Sequence, residues 1–246
     1  MRIAVAGGTG AVGKHVTAVA HERGHDVVVL ARSTGVDLTT GAGLAAALEG
    51  VDAVIDVTSI ATQSATASRE FFGTVTTTLL DAELAAGVGH HLALSIVGSN
   101  TAPFGYYAGK HEQEQLVAAG RVPWTILRAT QFHEFAKQMH ERFRFGPVTL
   151  VPRMTSQPIA AHEVAERLVA LAEGAPAGHA TDLGGPEVLQ MSAMVRDYER
   201  AIGARSAVIE LPLPGGFGRA MRDGTTLAGP AADRGTQTYA AWLTDL

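Results

Sequence analysis

The residues that decide the fold are Met1–Gly13, with the sequence MRIAVAGGTGAVG, in a chain of 246 residues. The apolar residues at the start of this stretch predict a short strand buried on both faces, and the residues from about 11 to 23 predict a helix. Three of the four glycines in this stretch have separable tasks. Gly7 permits a tight turn, Gly10 lets the backbone approach a ligand, and Gly13 lets the helix pack closely.

A strand, a glycine-rich turn and a helix in this order are typical of a dinucleotide-binding unit. The free N–H groups and the positive dipole end of such a helix face the phosphates of the ligand. A structural glycine turn is the alternative, and the position between a strand and a helix favours the dinucleotide. The candidate cofactor contacts from this segment are Gly7, Thr9, Gly10, Ala11, Val12 and Gly13.

Strand-like and helix-like patterns alternate from this turn to about residue 130. Runs of β-branched and apolar residues predict further strands at 26–31, 51–57, 90–97 and 122–128. The segments between them predict helices, including a long one over about 69–86. This alternation predicts an α/β fold with a doubly wound parallel sheet of the Rossmann type. We expect one domain over residues 1–246, in which the chain from about 131 onward contributes a small C-terminal substrate lobe, with a last helix over 235–243.

The composition excludes several classes of protein. The absence of cysteine excludes disulfides, thiolate metal sites and cysteine nucleophiles. A formal net charge of -5 argues against a nucleic-acid partner. No run of about 18 apolar residues and no signal peptide is visible, so we expect no membrane association and a cytoplasmic protein. His133 and His140 are seven residues apart, but no third ligand has a suitable spacing, so we expect no metal.

The end of the second predicted strand, residues 30–33 with the sequence LARS, indicates which nicotinamide cofactor binds. Sites for NAD usually place an acidic residue there to hold the ribose hydroxyls, and none is present. Arg32 can pair with a 2′-phosphate and Ser33 can donate a hydrogen bond to it, so we predict NADP (NADPH) as the cofactor. The alternative is that Arg32 is a solvated surface arginine. Asp37 reaches the adenine amino group or forms an ordinary turn, and Thr58 completes the predicted cofactor contacts.

Three residues form a candidate catalytic group. Tyr106 and Lys110 are four residues apart at the start of a predicted helix and so share a face. A nearby ammonium favours the phenolate, so we expect Lys110 to lower the pKa of Tyr106 and to make it a general acid toward a substrate carbonyl. Lys110 is also a candidate for holding the nicotinamide ribose. Ser95 ends the preceding strand and can hydrogen-bond the same carbonyl oxygen, with Ser99 as a competing candidate.

The substrate side is expected to be mostly apolar with few polar anchors, which suits a quinone or a bulky carbonyl compound. His133 is a candidate for a substrate contact, and the sequence supports a structural role for it about equally well. The candidate substrate contacts are Gln131, Phe132 and His133.

The glycine turn and the Ser…Tyr-x-x-x-Lys arrangement resemble the short-chain dehydrogenase/reductase superfamily. The GGTGxxG form of the turn resembles the atypical, NmrA-like branch, and residues 124–132, WTILRATQF, are similar to its segment leading to the nicotinamide. Ala129 stands where many relatives have proline. The resemblance implies an oxidoreductase that passes a hydride between the nicotinamide and a carbonyl or quinone. It also implies that Tyr106 is the acid, Lys110 the ribose ligand and Ser95 the residue that orients the substrate.

Two other functions stay open from the sequence. The branch also contains members that bind NADP and sense redox state without turnover. An isomerase or epimerase that uses the cofactor transiently is a third class. The helices that begin at about Arg69 and at Tyr106 are where relatives often pair, which leaves a homodimer open.

Overall fold

A central parallel sheet organises the computed structural model, which describes residues 1–246. The strands are β1 (Arg2–Ala6), β2 (Asp26–Leu30), β3 (Ala53–Asp56), β4 (His90–Ile96), β5 (Trp124–Ala129), β6 (Arg144–Phe145), β7 (Val148–Pro152), β8 (Thr155–Ser156), β9 (Gly178–His179), β10 (Leu183–Gly184), β11 (Leu189–Gln190), β12 (Ala207–Leu211) and β13 (Asp233–Arg234). The helices are α1 (Ala11–Glu22), α2 (Leu44–Ala47), α3 (Ala65–Ala86), α4 (Tyr106–Ala119), α5 (Phe135–Phe143), α6 (Ala161–Ala172), α7 (Met191–Ala201), α8 (Gly215–Ala220) and α9 (Tyr239–Thr244). None of these helices combines the length and the hydrophobicity that a membrane span requires.

The strand order of the central sheet is β2–β1–β3–β4–β5–β10–β13, and β9 pairs separately with β5. Every pairing in this sheet is parallel. Because β2 and β3 lie on opposite sides of β1, the winding reverses there, and open sheets bind their ligands beside such a reversal. The predicted α/β fold with a doubly wound parallel sheet is confirmed.

Apolar cores cover both faces of this sheet. One core joins the strands to α1 and α6, and its strand residues Ile3, Ile55 and Leu92 are fully buried. The other face carries a core with α2 and α3, in which Leu30 and Leu79 are fully buried. Burial on both faces explains why these strands are continuous apolar runs without alternation.

A separate core lies under the later part of the chain. It contains buried side chains of α5 and α7, including Met139 and Met194, together with Val151 of β7. Beside it, β7 pairs in parallel with β12 and antiparallel with β6. Helix α6, in contrast, packs on the central sheet. The residues beyond about 131, which we expected to contribute a small lobe, therefore divide between this separate core and the core that α6 shares with the central sheet.

Helix boundaries differ from the sequence-based prediction where a side chain caps the helix. Helix α3 begins at Ala65 because the Ser64 hydroxyl accepts the N–H of Ala67 at 3.3 Å. Helix α9 begins only at Tyr239 because the hydroxyl of Thr238 accepts a hydrogen bond from the first turn. Hydroxyl capping of this kind satisfies N–H groups that a helix leaves without partners.

The glycine turn and α1 lie so close together that Gly13 has no room for a side chain. A Cβ at Gly13 would clash with the carbonyl oxygen of Gly7 and would lie 2.6 Å from the Cα of Gly8. We expect Gly13→Ala to lower the free energy of unfolding by about 2 kcal/mol or more, because the obstacle is backbone and cannot move aside. Urea unfolding followed by circular dichroism measures this change.

Gly73→Ala is the matched control, since Gly73 is also helical and a Cβ there meets no atom within 4 Å. Alanine is the better helix former, so this variant should be as stable as the wild type or more stable, by up to ~1 kcal/mol. Equal stability of the two variants would contradict the packing argument.

Candidate functional site

A cleft of about 1150 Å³ runs along the carboxyl ends of the strands. It extends from the glycine turn after β1, past the ends of β3 and β4, to α5 and α8. Thirteen of the residues expected at a site line it, and they are Gly7, Thr9, Gly10, Ala11, Val12, Arg32, Asp37, Thr58, Ser95, Tyr106, Lys110, Gln131 and Phe132.

Three other expected residues lie outside the lining of this cleft. Gly13 packs against the turn, and Ser33 is exposed on a short 3-10 turn. His133 is fully buried away from the cleft, with Nε2 at 3.2 Å from the Gln237 carbonyl and its ring 5.6 Å from that of Tyr239. The expectation of a substrate contact at His133 is therefore corrected. The chain turns this side chain toward α9, and the structural alternative is the one observed.

The start of α1 opens on the cleft without a cap. Gly10 is the residue before the helix, and no side chain accepts a hydrogen bond from the first turn. Gly7 has a φ of +78°, which only glycine adopts readily, and its N–H donates to the Leu30 carbonyl at 3.1 Å. The first-turn N–H groups of Ala11 and Val12 are thus left for an anion, in the manner of phosphate sites at helix N-termini.

The part of the cleft beside the end of β2 carries one cation and one anion. Arg32 is exposed at its rim. Asp37 accepts hydrogen bonds from the hydroxyl and N–H of Thr39, at 2.6 and 2.8 Å. These bonds, with a smaller contribution from the charge of Arg32, lower the pKa of the Asp37 carboxyl. Asp37 therefore forms the turn that was one of its two expected roles, while it still lines the cleft.

Lys110 is the most heavily coordinated side chain of the site. Its buried ammonium donates to the Leu94 carbonyl at 2.8 Å, to Oε1 of Gln113 at 2.9 Å and to the Thr58 carbonyl at 3.4 Å. It also lies 4.3 Å from the centre of the Phe72 ring. These contacts join α4 to β4 and to the loop after β3. The bond to Thr58 is the longest and therefore the weakest, so it is the one that a ligand oxygen can replace at least cost.

Behind Lys110 lies a buried carboxylate that the sequence analysis did not identify. Gln113 donates from Nε2 to Oδ2 of Asp56 at 2.7 Å, and Oδ1 of Asp56 accepts the Thr58 N–H at 2.8 Å. Burial lowers the pKa of Lys110 to about 8, although the charges of Asp56 and Glu114 act in the opposite direction. The available signals were an acid at the end of a buried strand and an amide three residues after Lys110.

The environment of the Tyr106 hydroxyl differs from the one that we expected. Its hydroxyl lies 3.0 Å from the hydroxyl of Ser59, and its ring packs edge-on against Phe72 at 5.5 Å. Burial raises the pKa of Tyr106 to about 12. The expectation that Lys110 lowers this pKa is wrong, because burial of the phenol outweighs the other contributions. With its pKa raised in this way, Tyr106 is protonated at neutral pH.

The two candidate serines have separate environments. Ser95 is 2% exposed, and its hydroxyl has no hydrogen-bond partner. Ser99 donates to Glu114 at 2.9 Å, and Arg128 binds both oxygens of the same carboxylate at 2.9 and 2.6 Å. Ser99 thus supports the ion pair between Glu114 and Arg128. Ser95 lines the cleft, but its hydroxyl oxygen is itself buried, and the hydroxyl in contact with Tyr106 is that of Ser59.

The substrate end of the cleft combines apolar walls with one series of hydrogen bonds between polar side chains. The Gln131 side chain donates from Nε2 to the Tyr107 hydroxyl at 3.0 Å, and the Ser156 hydroxyl donates to Oε1 of Gln131 at 3.1 Å. Tyr107 was not among the predicted residues, although it directly follows Tyr106. The apolar side chains that line this end include Phe132, Phe135, Met154, Phe217 and Met221.

A family model described as NAD(P)H-binding matches residues 34–174, more than half of the chain. The fold is also that of several solved structures. UDP-glucose 4-epimerase from Bifidobacterium longum in complex with NAD+ and UDP has a TM-score of 0.73 at 14% identity, with 99% of this chain and 96% of that chain covered. A short-chain dehydrogenase/reductase superfamily protein from Agrobacterium tumefaciens with bound NAD has a TM-score of 0.69 at 19% identity, with 100% and 95% covered.

UDP-N-acetylglucosamine 4-epimerase from Bacillus cereus has a TM-score of 0.70 at 16% identity, with 100% of this chain and 94% of that chain covered. No curated protein matches the chain in sequence. At these identities the solved structures share the fold, and the family match concerns the binding of NAD(P)H.

The lowered pKa of Lys110 has a consequence for stability. Between about pH 8 and pH 10 the native protein loses the Lys110 proton, whereas the unfolded chain, with an ordinary lysine pKa near 10.5, keeps it. The unfolded state then binds more protons, so the stability of the wild type should rise with pH through this window, by at most about 1.4 kcal/mol for each pH unit.

Lys110→Met should lack this rise, and chemical unfolding of both proteins at pH 7.5, 8.5 and 9.5 measures the difference. Lys137→Met, at an exposed lysine on α5, is the control and should follow the wild-type profile. Parallel pH profiles for the wild type and Lys110→Met would show that Lys110 keeps an ordinary pKa.

Proposed function

The chain belongs to the NAD(P)H-binding family, and from that premise we propose that it is an NADP-dependent oxidoreductase of the NmrA-like type. It transfers a hydride between the nicotinamide and a carbonyl or quinone. The observation that supports this proposal is the continuity of the cleft. One lining joins the uncapped start of α1 to Arg32 at one end and to Ser95, Tyr106 and Lys110 at the other.

The residues present fit NADP(H). The N–H groups of Ala11 and Val12 would hold the pyrophosphate. Glycine at position 10 keeps the approach to these groups open, because a Cβ there would lie only 3.1 Å from the Gly7 carbonyl oxygen and would narrow the approach. Arg32 would pair with the 2′-phosphate in the absence of an acid at the end of β2. When bound, the cofactor supplies or accepts the hydride.

The side chains near the nicotinamide end would donate the proton that the reduced substrate oxygen requires. Tyr106 is protonated at neutral pH, as a general acid must be before it donates to the substrate oxygen. Lys110, one helical turn away, would hold the nicotinamide ribose by exchanging its long bond to the Thr58 carbonyl for a bond to a ribose hydroxyl. Ser95, which lines the same cleft, would orient the substrate oxygen.

A redox sensor that binds NADP(H) without turnover is the second candidate, and one observation favours it. The ammonium hydrogens of Lys110 are all taken by protein acceptors, and the hydroxyl of Tyr106 is paired with Ser59. Both groups therefore have a structural role before any substrate binds. Tight NADPH binding with no oxidation by a panel of quinones and ketones would favour the sensor over the oxidoreductase.

The choice between cofactors is tested at Arg32. Arg32→Asp should raise the Kd of NADPH about tenfold or more, while the Kd of NADH changes less than about threefold, because only NADPH carries the 2′-phosphate. Nicotinamide fluorescence titrations measure both constants. Arg205→Asp makes the same charge change at an exposed position outside the cleft and should leave both unchanged. Equal losses for the two cofactors in Arg32→Asp would remove Arg32 as the 2′-phosphate ligand.

The general acid is tested by Tyr106→Phe. Single-turnover oxidation of NADPH by an accepted quinone or ketone should slow by about a hundredfold or more, because the proton donor is lost. The Kd of NADPH should stay within about twofold, since the ring and its contact with Phe72 remain. A rate equal to that of the wild type would exclude Tyr106 from the proton transfer.

A further inference from the structure

We propose that Tyr107, oriented by Gln131 and Ser156, is a second hydroxyl donor that selects conjugated substrates with a second oxygen acceptor, as a quinone has. This inference rests on the proposed function and narrows its substrate class. Tyr106 would meet the oxygen that is reduced, and Tyr107 would meet the other one. Both tyrosines line the same cleft.

The direction of the hydrogen bonds leaves the Tyr107 proton without a protein acceptor. The Ser156 hydroxyl donates to Oε1 of Gln131, and Nε2 of the same amide donates to the Tyr107 oxygen. That oxygen makes no other hydrogen bond in the structure. Burial raises the pKa of Tyr107 to about 12, so the hydroxyl stays protonated and remains a donor. A buried donor without an acceptor is costly, and a ligand oxygen at the cleft would satisfy it.

The Tyr107 ring is held in place, so its hydroxyl is positioned before a ligand arrives. Its side is packed edge-on by Phe217 at 5.5 Å, and its backbone N–H donates to the Phe104 carbonyl at 3.0 Å. Ser156, at the other end of this series of hydrogen bonds, is fully buried on β8, and β8 pairs with β11. Fixed donors of this kind discriminate strongly between ligands that carry the matching group and ligands that lack it.

The surroundings of this donor indicate the rest of the ligand. Apolar and aromatic side chains, including Phe135, Met154 and Phe217, line the same end of the cleft. Such walls favour a planar, largely apolar body, and the two hydroxyls then favour two oxygens on it. A ketone with one carbonyl would satisfy Tyr106 and leave the Tyr107 proton unpaired. The geometry therefore favours a dicarbonyl substrate over a simple ketone.

The test compares 1,4-naphthoquinone with 1-tetralone, which has a similar body and one carbonyl. Tyr107→Phe keeps the ring that packs on Phe217 and removes the hydroxyl. Calorimetric titration of the NADP+-loaded protein should show that naphthoquinone binds about tenfold more weakly to this variant, while tetralone changes less than about twofold. Gln131→Leu should weaken naphthoquinone in the same direction. Tyr198→Phe, at a buried tyrosine outside the cleft, is the control and should match the wild type.

The proposal is overturned if Tyr107→Phe and Tyr198→Phe bind naphthoquinone equally, if both ligands weaken to the same extent, or if the wild type binds no quinone. The titration does not require turnover, so it separates this inference from the proposed function. Quinone binding that depends on Tyr107, without any oxidation of NADPH, would reject the oxidoreductase and keep the site.

Discussion

The close approach of α1 to the glycine turn is the constraint on which the rest of the structure depends. A single methyl group at Gly13 would collide with the backbone of Gly7 and Gly8. Because no side chain separates them, α1 starts directly above the carboxyl end of β1, and its uncapped N–H groups face the cleft. The same placement sets α1 against α6, and together they cover one face of the sheet.

A second constraint acts at the opposite end of the cleft. Burying an ammonium group is unfavourable unless hydrogen bonds and a counter-charge compensate. Lys110 has three acceptors from three parts of the chain, and Asp56 lies behind Gln113. The lysine therefore fixes the relative positions of α4, β4 and the loop after β3. The site is consequently organised before any ligand binds, which explains why Tyr106 and Tyr107 present their hydroxyls on fixed rings.

The sequence predicted what depends on local pattern and on topology. The strand, turn and helix around Gly7 follow from glycine chemistry and apolar runs, and the parallel sheet then gathers strand ends at one edge. It could not predict directions of side chains in loops. Ser59 lies in a loop rich in serine and threonine, and its hydroxyl contacts that of Tyr106 only because of the course that this loop takes in the fold. His133 turns inward, and a spacing of four residues between Tyr106 and Lys110 did not reveal where the ammonium hydrogens go.

A crystal structure of the protein with NADP+ would locate the cofactor relative to α1 and α4. We expect the pyrophosphate on the N–H groups of Ala11 and Val12, the 2′-phosphate beside Arg32, and the nicotinamide ribose within hydrogen-bond distance of Lys110. A cofactor whose phosphates lie away from the start of α1, or whose nicotinamide lies away from Tyr106 and Lys110, would contradict this expectation.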